Sequence, residues 1–138
     1  MLAGSCLSGI AFLKGLGLVH AISHMVGAEY DTQHGLTNAV VLPAALRHNA
    51  PALADKIEPL SQAMGLRDTS FEAFYAHVCA ILDQVGIPKT LTDIGVPSDC
   101  AARIADKALQ DSAAGTNACA LTAQDIERVI AVALTKGR

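Results

Sequence analysis

The chain has 138 residues, 51% of them hydrophobic, with ten Lys and Arg against thirteen Asp and Glu for a net charge of -3. That is one domain's worth of sequence, enough to bury a core. The absence of a basic run, together with only three Phe, two Tyr and no Trp, argues against a nucleic-acid partner.

The N-terminal segment repeats Leu2, Cys6, Ile10 and Leu13 at helical spacing, with Ala3, Gly4, Ser5, Ser8 and Gly9 keeping the other side small. This predicts a buried helix with little polar surface. Gly15 and Gly17 break it, and Lys14, His20 and His24 interrupt the apolar run, so no membrane span is expected. No charged and apolar leader precedes Cys6, so no secretory signal is expected either. Cys6, Cys79, Cys100 and Cys119 are widely spaced without a Cys-x-x-Cys, which suits reduced thiols in a cytoplasmic helical protein.

Gly15 to Asn38 carries three of the five histidines. On a helix, His20 and His24 leave the same face with Cβ atoms about 5–6 Å apart, which is metal-ligand spacing. Gly27 is expected to end that helix in a left-handed conformation. Asp31 or Thr32 then caps the next one, placing His34 in or just before its first turn and folding it back toward His20. The positive end of a helix disfavours imidazolium and so keeps His34 neutral, as a ligand must be. On spacing alone, the pair fits a metal or catalytic site and a plain polar stripe equally well. His48, after Arg47 near a helix end, and His77, inside an apolar pattern, read as structural.

The segment from His34 to His48 is apolar nearly all round and contains Pro43, which predicts a kink near Ala39. Two amphipathic patterns follow, Leu53, Ile57, Leu60, Met64 and then Phe71, Phe74, Val78, Ile81 or Leu82, Val85. Each predicts a surface helix with one buried face. Thr69-x-x-Glu72 reads as a capping box opening the second, and Gly86 and Pro88 close it. Pro97-Ser98 open a helix through Ile104 and Ala108. Thr122-x-x-Asp125 caps the last helix, which buries Ile126, Val129, Ile130 and Ala133 and ends near Lys136-Gly137. No long run alternates in the manner of a strand. The expected fold is therefore all-α, a bundle of six or seven helices forming one domain over 1–138. Cys79 and Cys100 read as core thiols, and Asp93 and Asp111 as loop or capping residues.

The pattern Gly17-Leu-Val-His20-Ala-Ile-Ser-His24-x-x-Gly27, then His34-Gly35-x-x-Asn38-Ala39 and Leu42-Pro43, closely resembles the signature in the C-terminal helical domain of the iron-containing (group III) alcohol dehydrogenases. Gly86-Ile-Pro88, Leu91-x-Asp93-x-Gly95-Val-Pro97, Asn117 and Leu121-Thr-Ala-Gln-Asp125-Ile126 look like its later landmarks. The resemblance implies the helical half of a dehydroquinate-synthase-like fold. It also implies a metal, Fe²⁺ or in some members Zn²⁺, held by one aspartate and three histidines. The last two of these histidines match His20 and His34, so both are candidate metal ligands. His24 matches a histidine near the nicotinamide and substrate, a candidate catalytic and cofactor-binding residue. The implied chemistry is hydride transfer between an alcohol or aldehyde and NAD(P), with the metal as a Lewis acid on the substrate oxygen.

Two departures shape the expectation. The family's aspartate and first histidine ligand would lie upstream of Met1, and no Asp-x-x-x-His replaces them. No strand leads into a glycine-rich turn and helix either, so the N-terminal Rossmann-like domain is absent. Gln33 and Ala118-Cys119 stand where the family commonly has Pro and Pro-Arg. The expectation is a fragment of a longer two-domain dehydrogenase, inactive alone. Its partners would be the missing nucleotide-binding domain or a second chain, a homo-oligomer, and a small alcohol or aldehyde. One alternative is a maleylacetate-reductase-like oxidoreductase domain. The other is a non-catalytic, self-associating helical module that exposes apolar surface at Leu2 to Leu18 and Val40 to Leu46.

Overall fold

Helical periodicity resolves into seven α-helices in this computed structural model, which describes residues 2–138 and holds no strand among them. They are α1 (Leu2–Phe12), α2 (Gly17–Tyr30), α3 (His34–Asn49), α4 (Ala54–Ala63), α5 (Phe71–Gln84), α6 (Ala101–Leu109) and α7 (Ala123–Thr135). Short 3₁₀ turns link them at Ala50–Leu53, Thr92–Ile94 and Ala114–Thr116.

The core lies among α2, α3, α6 and α7. Leu18, Ile22 and Val26 form one stripe of α2 at four-residue spacing, and Ile126, Ile130 and Leu134 do the same on α7. Val40 and Val41 of α3 and Ile104 of α6 complete it. Each such Leu or Ile contributes roughly 1.5–3 kcal/mol by leaving water. Leu91, in the loop after α5, is also fully buried, and its N–H donates to the Ala133 carbonyl at 2.8 Å.

Outside this core the apolar patterns are less completely used. On α4 only Ile57 and Ser61 are buried, while Leu60 and Met64 face outward. On α5 Phe74 and Leu82 are buried, but Ile81 and Val85 are exposed. Helix α5 packs on α3 and α4, and α4 on α5 and the preceding 3₁₀ turn, so each covers a narrower face than its pattern suggests. The largest departure is α1. Read as a buried helix, it is exposed along its whole length, with Leu2 at 89% and Leu7 at 67% exposure, and it meets α2 at 93°. Its apolar composition calls for cover that residues 2–138 do not supply. Val40 to Leu46, in contrast, are not an exposed patch, because Val40, Val41, Ala44 and Ala45 are core residues. Among the described residues no single helix is long and apolar enough to cross a membrane.

Four helix ends differ from the sequence reading. Helix α6 opens at Ala101, with Cys100 at its N-cap, rather than at Pro97-Ser98. Helix α2 runs through Gly27 to Tyr30 and stops at Asp31, which takes the left-handed conformation (φ 54°) and donates its N–H to the Gly27 carbonyl at 3.0 Å. Buried Val26 and the pairing of Glu29 with α6 offset the roughly 1 kcal/mol cost of a mid-helix glycine. The cap of α3 is Gln33, whose side-chain oxygen accepts from Leu36 N–H, while Thr32 is engaged with the Thr37 hydroxyl at 2.8 Å. The cap of α5 is Ser70 rather than Thr69, and Glu72 pairs with Arg47 instead of closing a capping box. The box at Thr122 and Asp125 forms as expected.

The start of α2 is held from a distance. Leu16 and Gly17 donate their N–H groups to Thr116 Oγ1 at 3.1 and 3.2 Å, and Leu18 N–H donates to Asn117 Oδ1 at 3.1 Å. Asn117 also exchanges a pair of amide hydrogen bonds with Asn49, at 2.9 and 2.7 Å. Gly15 makes the approach possible, because its φ is +106° and a Cβ there would stand 2.4 Å from Thr116 Cβ. Gly15→Ala is therefore expected to destabilise the fold by about 1–3 kcal/mol, and Thr116→Ala, which removes a cap, by about 1 kcal/mol. Urea titration followed by circular dichroism measures both, and a wild-type midpoint for Gly15→Ala would contradict the close approach.

Acid sensitivity is the second expectation. Lys107 and Arg103 of α6, each 2.7 Å from the Glu29 carboxylate, hold its pKa down from 4.5 to about 2. The Thr122 hydroxyl and backbone N–H do the same for Asp125, to about 2. A depressed carboxylate stabilises the fold fully above its unfolded value, and the contribution is lost as pH falls through its folded one. The melting temperature should thus drop between pH 4.5 and 2, and Glu29→Gln should flatten that slope; an unchanged slope would count against the Glu29 contribution.

Candidate functional site

The three-residue turn between α2 and α3 sets the two helices antiparallel. His20 and His24 stand one turn apart on α2, and His34, the first residue of α3, faces them. Ring centroids are 5.7 Å apart for His20 and His24, 5.3 Å for His20 and His34, and 5.4 Å for His24 and His34. The fold thus brings together all three histidines singled out in the sequence.

Two of them share a focus. Asn38 lies one turn beyond His34, and its Nδ2 is 3.3 Å from His20 Nε2 and 3.0 Å from His34 Nε2. Its Oδ1 accepts from Ser23 Oγ at 2.5 Å, which turns the amide NH₂ toward the imidazoles. An amide NH₂ only donates, so both Nε2 atoms offer lone pairs to one point. The Nδ1 of His34 is directed into the protein, facing Ser23 Oγ at 3.5 Å. Burial lowers the pKa of His20, and the nearby His34 and His24 lower it further, which favours the neutral ring.

This donor set fits an imidazole-preferring divalent ion, because two neutral Nε2 lone pairs converge where a cationic or donor group already sits. It fits as a partial shell. Among the described residues no three His, Cys, Asp or Glu side chains form a group that could hold a metal ion.

His24 is engaged differently. Its Nδ1 lies 3.0 Å from Asp111 Oδ2, and its ring stacks on that of His34 at an interplanar angle of 16°. A cleft of about 440 Å³ opens beside His20, lined mainly by apolar side chains such as Val19, Leu42 and Leu82, with His20 and Asn38 at its polar edge.

The other candidates lie elsewhere. His48 is in the last turn of α3, where its Nε2 is buried without a hydrogen-bond partner, and His77 is half-buried on α5. Cys100 is fully buried, and burial pushes its thiol pKa up, as suits a core residue. Asp93 accepts from Thr90 N–H at 3.0 Å in a loop. Asp111 also caps locally, accepting from Ala113 N–H at 2.8 Å, and in addition holds His24. Sequence reasoning assigned no site role to Ser23, Asn38 or Asp111. The first two were within reach of a helical-spacing argument, three residues after His20 and four after His34. Asp111, 87 residues from His24, leaves no local signal.

Residues 1–134 match the family described as Fe-containing alcohol dehydrogenase, C-terminal. The chain is 35% identical over 133 residues to lactaldehyde reductase of Escherichia coli (strain K12), covering 91% of this chain and 35% of that protein. It is 36% identical over 124 residues to 1,3-propanediol dehydrogenase of Klebsiella pneumoniae, covering 85% and 32%. NAD-dependent methanol dehydrogenase of Bacillus methanolicus is 32% identical, with 93% of this chain and 35% of that protein covered. A crystal structure of 1,3-propanediol oxidoreductase matches at a TM-score of 0.81 and 32% identity, over 86% of this chain and 32% of that one. The chain spans about a third of the length of the curated relatives it matches. The family pattern covers almost the whole sequence and the same helices recur in solved members, so the chain belongs to the iron-containing alcohol dehydrogenase family and corresponds to its C-terminal helical domain.

Proposed function

We propose that this chain is the helical metal-binding domain of an NAD(P)-dependent alcohol dehydrogenase, a fragment of a longer two-domain enzyme. His20 and His34 would be two ligands of its metal, and His24 would lie on the nicotinamide and substrate side. The observation that carries this reading is the convergence of His20 Nε2 and His34 Nε2 on Asn38 Nδ2. When bound, Fe²⁺ or Zn²⁺ supplies Lewis acidity toward the substrate oxygen, and NAD(P) carries the hydride.

The chain's own residues prepare the site. Asn38 and Ser23 hold the two imidazole planes, and burial favours the neutral form of His20. The Thr116 and Asn117 cap fixes where α2 begins, and with it the height of His20. The apolar cleft beside His20 suits the alkyl part of a small alcohol or aldehyde. The names of the relatives point to lactaldehyde, 1,3-propanediol and methanol, which supports that substrate class. Free thiols at all four cysteines support a cytoplasmic setting.

Alone, this half shell holds a metal weakly and offers no dinucleotide-binding turn, so the isolated chain is expected to be inactive. Metal titration of the purified chain should show weak Zn²⁺ or Fe²⁺ binding that His20→Ala or His34→Ala each weakens by about tenfold or more. Binding that survives both substitutions would refute the ligand assignment. Reduction of NAD⁺ by the chain with a simple alcohol and Fe²⁺ would refute its inactivity.

A second reading rests on α1, where Leu2, Leu7, Ile10 and Phe12 are all exposed. Such a face is covered in a working assembly by a nucleotide-binding domain or by a second copy. Light scattering of the isolated chain is expected to show a concentration-dependent dimer that Leu7→Glu with Ile10→Glu returns to monomer. A wild-type monomer at every concentration would contradict self-association.

A further inference from the structure

We infer that Asp111 is a positioning residue for His24: its carboxylate holds the imidazole as the Nδ1–H tautomer, so that Nε2 offers a lone pair on the open side of the site. An ionised carboxylate only accepts hydrogen bonds, so the 3.0 Å contact between Asp111 Oδ2 and His24 Nδ1 places the proton on Nδ1. Neutral imidazole carries one N–H, and Nε2 is therefore the acceptor. Nε2 of His24 has no hydrogen-bond partner among the described residues, and the side chain is 36% exposed, against 13% for Asp111. The buried end of the pair is the carboxylate, and the accessible end is a lone pair.

The carboxylate is itself pinned. Its two oxygens have separate partners, Oδ2 on His24 and Oδ1 on Ala113 N–H at 2.8 Å. Its backbone carbonyl accepts from Ala114 N–H at 3.0 Å, where α6 turns into the 3₁₀ segment Ala114–Thr116. The next residues of that segment cap α2. One stretch of seven residues, Asp111 to Asn117, thus seats the start of α2 and orients a ring two turns further along it. The arrangement also separates the roles of the histidines. His20 and His34 turn Nε2 toward Asn38, whereas His24 points Nε2 to the open side, where a hydroxyl group of substrate or cofactor could donate to it. That functional consequence rests on the cofactor-side role proposed for His24; the tautomer does not.

The test is imidazole ¹H–¹⁵N correlation spectroscopy of the ¹⁵N-histidine-labelled chain at about pH 8, above the ordinary imidazole range. His24 is assigned by the resonances lost in His24→Gln. The expected wild-type result is a protonated Nδ1 and an unprotonated Nε2, the opposite of the tautomer a free histidine side chain favours. Asp111→Asn is nearly isosteric, but its single oxygen remains committed to Ala113 N–H, which turns the NH₂ toward Nδ1. The two His24 nitrogen signals should then exchange character while the backbone spectrum stays folded. A wild-type Nε2–H tautomer overturns the inference without any substitution, and so does an Nδ1–H tautomer that persists in folded Asp111→Asn. Neither result bears on metal binding by His20 and His34, so this inference and the dehydrogenase reading fail separately.

Discussion

The arrangement of the site depends on a cap supplied across about a hundred residues. Helix α2 has no capping side chain of its own at Leu16, and its first N–H groups would be left without acceptors. Thr116 Oγ1 and Asn117 Oδ1 accept them instead. Asn117 is in turn clamped by Asn49 at the end of α3, so one loop ties together the start of the helix bearing His20 and the far end of the helix bearing His34. The glycines before His20 serve this contact. Gly15 lets the backbone come so near Thr116 that no side chain could stand in its place.

The polar network of the site follows from that placement. Two of the three rings have Nδ1 engaged by protein, His34 by Ser23 and His24 by Asp111, while His20 turns its Nε2 to Asn38. Fixing one nitrogen fixes the tautomer, and the tautomer decides where the lone pair points. Two lone pairs meet at Asn38 and one faces outward. The same residue type at nearly the same place is thereby set to different tasks by its hydrogen-bond partner rather than by its identity.

Apolar surface is divided unevenly around this centre. The helices that carry or buttress the site, α2, α3, α6 and α7, contribute nearly all of the fully buried residues, while α4 and α5 bury narrow faces and α1 buries none. A helix with Leu, Ile and Phe on its surface is costly in water, and α1 carries the largest such surface in the described fold.

The helical class, the number of helices, the capping box at Thr122 and the histidine cluster were legible in the sequence because each rests on local spacing: 3.6-residue periodicity, a cap three residues from its partner, rings one turn apart. Helix ends were less legible. The turn after α2 comes at Asp31 rather than Gly27 because buried Val26 and the ion pairs of Glu29 outweigh the local preference of glycine. The burial of α1 was misread because periodicity reports that a face is apolar, not what covers it. Asp111 on His24 and Thr116 on Leu16 could be decided only by the tertiary structure. Their partners lie 87 and 100 residues away, and no rule of local spacing reaches a hydrogen bond that exists only once four helices have packed.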